Sequence, residues 1–399
     1  MSDLETFRAE ANAWLRANAP KSIVGTMQTD DEGIWGGRKA VYPNPDAKRW
    51  LEIMADRGWT APAWPREYGG GGLAPGEAKV LQQEMAKLRI PAPLVGFGLT
   101  MIGPTILQFG TEEQKREHLP KICRGQIRWC QGYSEPDAGS DLASLKTRAV
   151  LDGDQLVVTG QKVWTSYADK ADWIFALVRT DPNAKKQEGI TFLLIDMATP
   201  GVSVRPIPLI SGASPFCETY FDSVRVPLKN VITKLNGGWT VAKALLGHER
   251  SMIADVFGGG GPRRGKGSAL AAHARKHLNG GGSEVSDPVL RDQISQAEMD
   301  TRCFSLTVQR SRDGMKAGHK PGPETSMFKY YATELNMRRH ELMVRIGGPQ
   351  GLGWEGEGFD PEDVTLTRAW LRSRGNSIEG GTSEVQLNVI AKRVLGLPD

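Results

Sequence analysis

The chain has 399 residues, of which 39% are hydrophobic and 24% charged, and its formal net charge is +4. Such a length predicts roughly two or three domains, and such a composition excludes an intrinsically disordered chain. Because basic and acidic residues are interleaved, apart from a short cluster at Arg263, Arg264 and Lys266, we expect no nucleic-acid binding.

The first third of the chain has the apolar spacing of helices. Its acidic, polar start and its short apolar runs predict neither a signal peptide nor a membrane span, so we expect a cytoplasmic protein without membrane contact. The Pro- and Gly-rich passage Gly58–Gly72 predicts a loop, because proline lacks the amide donor of a helix and glycine disfavours helix formation. The predicted helices are Leu4–Leu15, Ala47–Ala55, Gly76–Leu88 and Leu99–Leu107.

The middle of the chain, after about Arg128, has the period of β-strands, and helical spacing returns after Gly238. The predicted strands are Leu156–Val163, Trp173–Arg179, Ile190–Ile195, Val202–Ile207 and Thr219–Val226. The later predicted helices are Thr240–Phe257, Pro288–Ser311, Glu324–Arg345, Pro361–Arg374 and Glu384–Leu395. Because glycines cluster at 258–261 and 280–282, we expect a helix break or a loop between Phe257 and Asp287.

This order of elements predicts an α+β multidomain fold in which helical layers are segregated from the sheet, without βαβ units. The expected domains are an N-terminal α domain over 1–125, a middle β domain over 126–235 and a C-terminal α domain over 236–399. A chain of this length is able to bury a substantial site.

The cysteines and histidines predict no metal site. The four cysteines, which form neither a Cys-x-x-Cys pair nor a cluster with histidine, are Cys123, Cys130, Cys217 and Cys303. His248, alone in a predicted helix, is interpreted as structural, and for the other histidines we expect no metal-ligand spacing.

The segment Trp129–Arg148, WCQGYSEPDAGSDLASLKTR, is the most informative for chemistry. Ser134, Ser140 and Asp141 surround Gly139, so hydroxyls and backbone amides are available to a polar ligand in a loop that leads into strands. The alternative is a plain turn, which is the usual role of such residues. As an ordered pattern, GYSEPDAGSDLAS resembles the signature loop of acyl-CoA dehydrogenases.

Further segments resemble the same family. GQKVWTSY at Gly160–Tyr167 is similar to the strand whose tryptophan lies beside the flavin. IEGGTSEVQ at Ile378–Gln386 is similar to a segment that borders the active site, and RIGGPQGLGW around Gly347 and Gly348 is similar to a loop at the FAD adenine. The resemblance covers nearly the whole chain and implies a helical N-terminal domain, a middle β-barrel or sandwich and a C-terminal four-helix bundle.

The resemblance also implies that the cofactor is FAD. Trp164 would pack on the isoalloxazine, with a core tryptophan as the alternative, and Ser166 would lie near N5. Thr382 and Ser383 open a predicted helix, whose N-terminus is a natural anion site. The implied cofactor-binding residues are Gln131, Gly132, Tyr133, Ser134, Gly139, Trp164, Thr165, Ser166, Gly347, Gly348, Thr382, Ser383 and Glu384.

The family reaction needs a carboxylate that takes the α-proton and a hydrogen-bond donor to the thioester oxygen. Many members carry Glu directly before Gly-Thr, but this chain has Gly380 there, and Glu379 is one residue early. The segment Leu246–Arg250 resembles the Leu-x-x-Glu-Arg setting of the base in isovaleryl- and long-chain-type enzymes. We therefore predict Glu249 as the base, Arg250 as its electrostatic neighbour and the Gly380 amide as the donor. The alternative for Glu249 and Arg250 is a solvated helix pair.

The implied activity is the α,β-dehydrogenation of an acyl-CoA to the trans-2-enoyl-CoA, in fatty acid metabolism and lipid degradation. The substrate would contact Ser140, Arg250 and Gly380. The implied partners are the acyl-CoA, an electron-transferring flavoprotein that accepts the electrons, and further copies of the chain in a homodimer or homotetramer.

One departure from the family pattern is the missing Arg-x-x-Phe-Gly segment, through which one subunit reaches the FAD pyrophosphate of its neighbour. In its place stands LAAHARKHLN, at Leu270–Asn279. This departure resembles bacterial members that act on bulky, branched, dicarboxylic or steroid-derived acyl-CoAs, some of which assemble as heterotetramers of two unlike subunits. The basic residues available as substitutes are Arg263, Arg264, Arg275 and Lys276.

Two other functions stay open at this point. Flavin monooxygenases and nitroalkane oxidases share the fold, and members of the first group lack the base that Glu249 would provide. A non-enzymatic role, as the structural subunit of a heteromeric dehydrogenase, is favoured by the missing Arg-x-x-Phe-Gly segment. The flavin-loop motifs argue against that role.

Overall fold

The computed structural model of the chain describes residues 3–25, 33–42, 44–246, 269–278, 285–318, 322–323 and 325–398. These residues form two compact units. The first unit comprises residues 1–207 and 215–245, and the second comprises residues 208–214 and 246–399.

The first unit begins with helices that pack around tryptophans. Trp14 lies against Trp50 and Trp59, with ring centroids 6.3 and 4.8 Å apart, and the apolar faces of α1 and α2 are buried in the same cluster. A π-helical turn at Gly98–Ile102 leads into α4. The helices are α1 (Asp3–Asn18), α2 (Pro45–Asp56), α3 (Pro75–Lys87), α4 (Gly103–Phe109) and α5 (Glu112–Cys123).

Apolar spacing did not predict helix α5, because most of its residues are charged and Pro120 lies in its last turn. The helix begins with a capping box instead. The Thr111 hydroxyl accepts from the Gln114 amide at 3.2 Å, and the Gln114 side chain accepts from the Thr111 amide at 2.9 Å. This Thr-x-x-Gln signature is the sequence signal that marks the helix.

A seven-stranded sheet follows, in the order β1-β4-β2-β3-β7-β6, with β5 paired to β4. Strands β1 and β4 run parallel, whereas β3 and β7 form a long antiparallel ladder. All five predicted strands are confirmed within β3 to β7, and β1 and β2 are additional. The strands are β1 (Trp129–Gly132), β2 (Arg148–Asp152), β3 (Gln155–Ser166), β4 (Trp173–Arg179), β5 (Ile190–Asp196), β6 (Val202–Ile207) and β7 (Phe216–Pro227).

The ladder between β3 and β7 contains a bulge that matters for the site. Lys162 is opposite Thr219 and Thr165 is opposite Cys217, so two residues of β3 face one residue of β7. Side chains of a strand alternate between its two faces. The extra residue therefore moves the inward-facing set from even to odd positions, and both Lys162 and Thr165 are fully buried.

The second unit is helical. Pro361 follows the N-cap Asp360, whose carboxylate accepts from the Glu362 amide at 2.8 Å. The last helix continues as a π-helical turn at Ile390–Val394. The helices are α6 (Ala269–Leu278), α7 (Pro288–Lys316), α8 (Thr325–Gly347), α9 (Pro361–Ser373) and α10 (Ser383–Val389).

The expected helix break between Phe257 and Asp287 is wrong in part, because α6 lies inside that range. Its sequence, ALAAHARKHL, contains no glycine and buries Leu270 and Ala274 on one face. The two glycine clusters lie outside the described residues. Of the helix predicted over 240–257, residues 240–246 belong to a helix that begins at 238, and the remaining residues lie outside the described part of the chain.

The order along the chain, with helices before and after a half-barrel sheet, confirms the predicted fold class. The domain ranges 1–125, 126–235 and 236–399 stay a prediction. Among the helices that the structure describes, none is both long and apolar enough to cross a bilayer.

Candidate functional site

In the first unit, the two motifs that resemble flavin-binding segments lie side by side. The Val163 amide donates to the Ser134 carbonyl at 2.9 Å, and the Lys162 ammonium donates to the Tyr133 carbonyl at 3.1 Å. The end of β1 is thereby joined to the bulge of β3. The two predicted segments, 131–134 and 164–166, therefore belong to one region of the sheet.

Strand β1 approaches its neighbour closely. Gln131 and Gly132 pair with Phe175 and Ala176 of β4, and a Cβ on Gly132 would lie 2.6 Å from Ile174 Cδ1. A larger residue there would require the buried Ile174 side chain to shift. The Tyr133 ring is buried against Phe175, at 6.1 Å between centroids.

Trp164 is held in an unusual backbone conformation at the bulge. Its φ is +58°, which costs an L-residue roughly 1–2 kcal/mol. Its side chain is nevertheless 54% exposed, with only one edge against Phe216, at 5.9 Å between ring centroids. A strained residue with this exposure is not a core tryptophan, and the contact of its ring with a flavin stays a prediction.

The two hydroxyl residues after Trp164 differ in where their side chains lie. Thr165 is fully buried, and its Oγ1 has no hydrogen-bond partner among the described residues. Ser166, which pairs with Phe216, is half-buried. A ligand at this surface would therefore meet the backbone of Thr165, whereas Ser166 can also offer its side chain.

Sequence reasoning missed a buried ion pair beneath the loop after β1. The Lys162 ammonium is 2.7 Å from a Glu135 oxygen, and the Glu135 carboxylate also accepts from the amides of Lys146 (2.6 Å) and Thr147 (2.9 Å). These bonds fix the loop 135–147 to β3. Alternation along β3 turns the even-numbered Lys162 toward the interior. Because a buried ammonium needs a partner of opposite charge, this position in the sequence indicates a buried carboxylate nearby.

The electrostatics of this pair follow from its burial. Burial lowers the pKa of the Lys162 ammonium to about 8, although the Glu135 carboxylate opposes that change. Burial by itself would raise the pKa of Glu135, but Lys162 and the hydrogen bonds from Lys146 and Thr147 outweigh it and leave that pKa lowered. Both groups are thus charged at neutral pH and fixed in position.

The outer part of the loop 135–147 is exposed, in contrast to the buried ion pair beneath it. Gly139 and Ser140 are exposed, and within the described ranges no atom lies within 4 Å of a Cβ built on Gly139. The fold itself does not demand glycine at this position. Asp141 is held 2.7 Å from Lys186 in an exposed ion pair, so Ser140 is presented on an anchored turn.

In the second unit, the glycine turn before α10 is built from left-handed residues. Gly380 and Gly381 have φ values of +66° and +91°, which favour glycine. Thr382 is the N-cap of α10, and its hydroxyl accepts from the Val385 amide at 3.2 Å. Ser383 is buried, with its hydroxyl 3.3 Å from Glu334, whereas Glu384 is exposed.

Glu379 is already engaged within this unit. Its carboxylate is 2.8 Å from the Arg372 guanidinium and also accepts from the Asn376 amide. Because two groups of the same unit already bind this carboxylate, Glu379 is a weaker candidate for a base that must meet a substrate proton. The residues of the other candidate, Glu249 with Arg250 and His248, lie outside the described residues.

Gly347 and Gly348 join helix α8 to a following 3₁₀ turn. Gly348 has a φ of +52°, and a Cβ built there meets nothing within 4 Å in the part of the chain that the structure describes. Its backbone therefore faces open space. The role of this turn at an adenine stays a prediction.

Of the basic residues available to replace the missing Arg-x-x-Phe-Gly contact, Lys276 already binds two carboxylates of its own unit. Its ammonium lies 2.6 Å from Asp360 and 3.2 Å from Glu362, which tie α6 to α9. Arg275 lies in the last turn of α6. Arg263 and Arg264 lie outside the described residues.

A histidine cluster on the same helix was not anticipated. His273 and His277 lie one turn apart on α6, and Asp363 of α9 faces both, with ligand atoms within 4.8 Å of one another. The expectation that no histidines have metal-ligand spacing is therefore wrong, since the i, i+4 spacing is present. Burial lowers the pKa of His273, which favours the neutral imidazole.

Comparisons with known proteins agree with the resemblance of the motifs. Three family models match the chain in succession, described as the acyl-CoA dehydrogenase N-terminal, middle and C-terminal domains, over residues 6–126, 130–224 and 236–395. The acyl-CoA dehydrogenase IpdE1 of Mycobacterium tuberculosis is 34% identical, over 100% of this chain and 99% of the relative.

Two solved structures are similar over their whole length. The Tcur3481-Tcur3483 steroid ACAD has a TM-score of 0.75 and 29% identity, with 100% of this chain and 98% of that chain covered. The ChsE4-ChsE5 complex from Mycobacterium tuberculosis has a TM-score of 0.74 and 28% identity, with the same coverage of 100% and 98%. Both names contain two components.

Proposed function

The chain belongs to the acyl-CoA dehydrogenase family, and on that premise we propose that it carries out FAD-dependent α,β-dehydrogenation of an acyl-CoA thioester to the trans-2-enoyl-CoA. The observation that carries the proposal is the strained and exposed Trp164, hydrogen-bonded through its neighbour Val163 to the GYSEPDAGSD loop. Strained backbone of this kind clusters at active sites and ligand sites.

The described residues fit FAD. Trp164 offers an aromatic ring for a planar ring system, Ser166 offers a half-buried hydroxyl beside it, and Gly348 leaves open space at a helix end. Gln131, Gly132, Tyr133 and Ser134 would donate to the pyrimidine end, and Thr382, Ser383 and Glu384 would border the cofactor from the glycine turn. When bound, FAD supplies the acceptor for the hydride that leaves the β-carbon.

The protein's own groups would handle the proton and the thioester. Glu249 would take the α-proton, with Arg250 as its neighbour, and the Gly380 amide would donate to the thioester oxygen as enolate charge develops. Glu379 is not assigned this role because Arg372 and Asn376 already hold its carboxylate. The Glu135–Lys162 pair would act only by positioning the loop that presents Ser140 to the substrate.

We propose a bulky, steroid-derived acyl group as the substrate class, since a similar structure is described as a steroid ACAD. We expect an electron-transferring flavoprotein as the electron acceptor, and a homodimer or homotetramer as the assembly. The two-component names of the similar structures make a heterotetramer the alternative assembly.

The first experiment is an anaerobic titration. The purified chain is followed by its visible spectrum while short, long, branched, dicarboxylic and steroid-derived acyl-CoAs are added, and we expect bleaching of the oxidised flavin by the bulky class. Glu249→Gln should abolish bleaching and leave the flavin content intact, whereas Glu379→Gln should bleach nearly as the wild type does. The reverse pattern would place the base at Glu379.

The same experiment separates the other functions. A colourless chain that becomes yellow and active only with a second subunit would make it the structural partner of a heteromeric dehydrogenase. A yellow chain that no thioester reduces, and that consumes oxygen once reduced chemically, would instead place it with the flavin monooxygenases or nitroalkane oxidases.

A further inference from the structure

The cluster of His273, His277 and Asp363 has the composition of a metal site. His277 Nε2 lies 3.1 Å from Asp363 Oδ1, and His273 Nδ1 lies 3.9 Å from the same oxygen. The side chains are 10%, 12% and 2% exposed in the order His273, His277, Asp363. Two histidines on successive turns of one helix, completed by a carboxylate, match the ligand sets of borderline divalent metals.

The orientation of His273 points to a cation between these groups. His273 Nε2 lies 3.0 Å from the Met343 carbonyl of α8, which can only accept, so the ring proton is on Nε2. The lone pair of Nδ1 then faces the Asp363 carboxylate. Two acceptors that face each other repel unless a cation lies between them. A histidine ligand commonly donates its second ring nitrogen to a backbone carbonyl in this way.

The second oxygen of Asp363 supplies an independent observation. Asp363 Oδ2 is buried and accepts no hydrogen bond from any residue that the structure describes. The nearest cation is Lys276, whose ammonium is 3.9 Å away and is held by Asp360 and Glu362. A buried carboxylate oxygen without a partner is costly in an otherwise closed cluster, and a metal ion would satisfy it.

The charge around the cluster also favours a cation. The carboxylates of Asp360, Glu362 and Asp363 surround the single ammonium of Lys276, which leaves two negative charges uncompensated when all are ionised. Lys276 reduces the attraction for a metal without cancelling it.

The distances are close to those that one ion requires. With metal–ligand bonds of roughly 2.0–2.2 Å, tetrahedral ligand atoms lie about 3.3 Å apart. The 3.1 Å separation of His277 and Asp363 already meets this value, and the separation of His273 and Asp363 would close from 3.9 Å. Small side-chain rotations achieve this change, since each ligand comes from a regular helix.

We propose that His273, His277 and Asp363 bind a divalent transition metal, with Zn²⁺ as the first candidate and water at the remaining position. The ion would join α6 to α9 directly, and to α8 through the His273–Met343 contact. Its role is structural and lies outside the dehydrogenation chemistry, so it does not depend on the identity of the acyl-CoA substrate.

The test uses the untagged full chain, so that no added histidines compete for metal. The protein is stripped with a chelator, incubated with Zn²⁺ or Co²⁺ and desalted, and retained metal is counted by mass spectrometry. We expect one equivalent of Zn²⁺ per chain, a Co²⁺ visible spectrum typical of low coordination number, and a higher melting temperature with Zn²⁺ than without it.

Variants locate the site. Asp363→Asn and His277→Gln should each lower the retained metal at least tenfold, whereas the matched control Glu362→Gln, which removes a charge one residue away, should retain it. If Asp363→Asn fails to fold, the metal retained by His277→Gln and the Co²⁺ spectrum of the wild type still test whether these residues bind the metal. A wild-type chain that retains no metal, or metal retention that survives both ligand variants, overturns the proposal in favour of a proton-mediated His–Asp contact.

Discussion

Two glutamates beside the predicted flavin segments form ion pairs that differ in burial. Glu135 and Lys162 are 7% and 0% exposed, and they join the loop after β1 to the sheet. Glu379 and Arg372 are 38% and 35% exposed, and they lie beside the glycine turn before α10. Each pair is short, at 2.7 and 2.8 Å. Their burial, and not their geometry, distinguishes them.

The difference shows which motif residues are costly to change. A buried charge that loses its partner remains in a low-dielectric interior, whereas a half-exposed charge regains water. The loop that presents Ser140 is therefore held by an interaction that tolerates no single substitution. The glycine turn is held mainly by its backbone conformation and by the Thr382 cap.

The largest expected effect is at Lys162. Lys162→Met leaves the Glu135 carboxylate buried and uncompensated, so we expect a loss of about 3–5 kcal/mol in the free energy of unfolding, measured by urea titration, together with reduced flavin content. The double variant Glu135→Gln/Lys162→Met should recover part of the loss, since no buried charge remains. Lys146→Met, at an exposed side chain, is the control. A loss below 1 kcal/mol for Lys162→Met would show that the interior admits water.

The second effect tests the burial of a single imidazole. His118 is 1% exposed and packs between Trp129 and Trp173, and burial lowers its pKa to about 4. As the pH falls from 6.5, the unfolded chain binds a proton on this imidazole before the folded chain does. The free energy of unfolding should therefore fall by up to about 3 kcal/mol between pH 6.5 and 4.

The measurement for His118 is the slope of stability against pH. His118→Phe keeps an aromatic ring against both tryptophans and removes the titrating group, so its slope in this window should be shallower than that of the wild type. Carboxylates contribute equally to both proteins and cancel in the difference. Equal slopes would mean that His118 is protonated in the folded chain.

The smallest effect is expected at the half-exposed pair. Glu379→Gln should change the free energy of unfolding by less than about 1 kcal/mol, because the amide can still accept from Arg372 and water reaches the guanidinium. Arg372→Met, measured in the same urea titration, tests the pair from its other side. If either variant lost as much free energy of unfolding as Lys162→Met does, burial would not explain the difference between the two ion pairs.

Much of the sheet and its motifs could be predicted from the sequence because their signals are local. Alternation and apolar runs predicted β3 to β7, and the pattern around Trp164 indicated a residue with a special role. The capping box at Thr111 and the even position of Lys162 are also local signals. Residue type and spacing are enough where neighbours in sequence determine the structure.

The rest depended on contacts between distant segments. Glu135 meets Lys162 only after the loop folds back on β3, and His273 meets Asp363, which lies 90 positions further along the sequence. Helix α6 was not predicted because glycine clusters lie on both sides of it in the sequence. Glycine disfavours a helix only at its own positions, so the glycine-free segment between the clusters is still helical. The base at Glu249 stays a prediction, since its residues lie outside those described.

The bulge at Val163 and Trp164 changes which residues of β3 face the interior. Before the bulge the even-numbered residues face inward, and after it the odd-numbered residues do, as Lys162 and Thr165 show. The number of residues between Lys162 and Thr165 is therefore as constrained as their identity. Deleting a single residue there would restore regular alternation with Lys162 and Thr165 still facing inward, and it would remove the bulge that holds the Trp164 ring in its outward position.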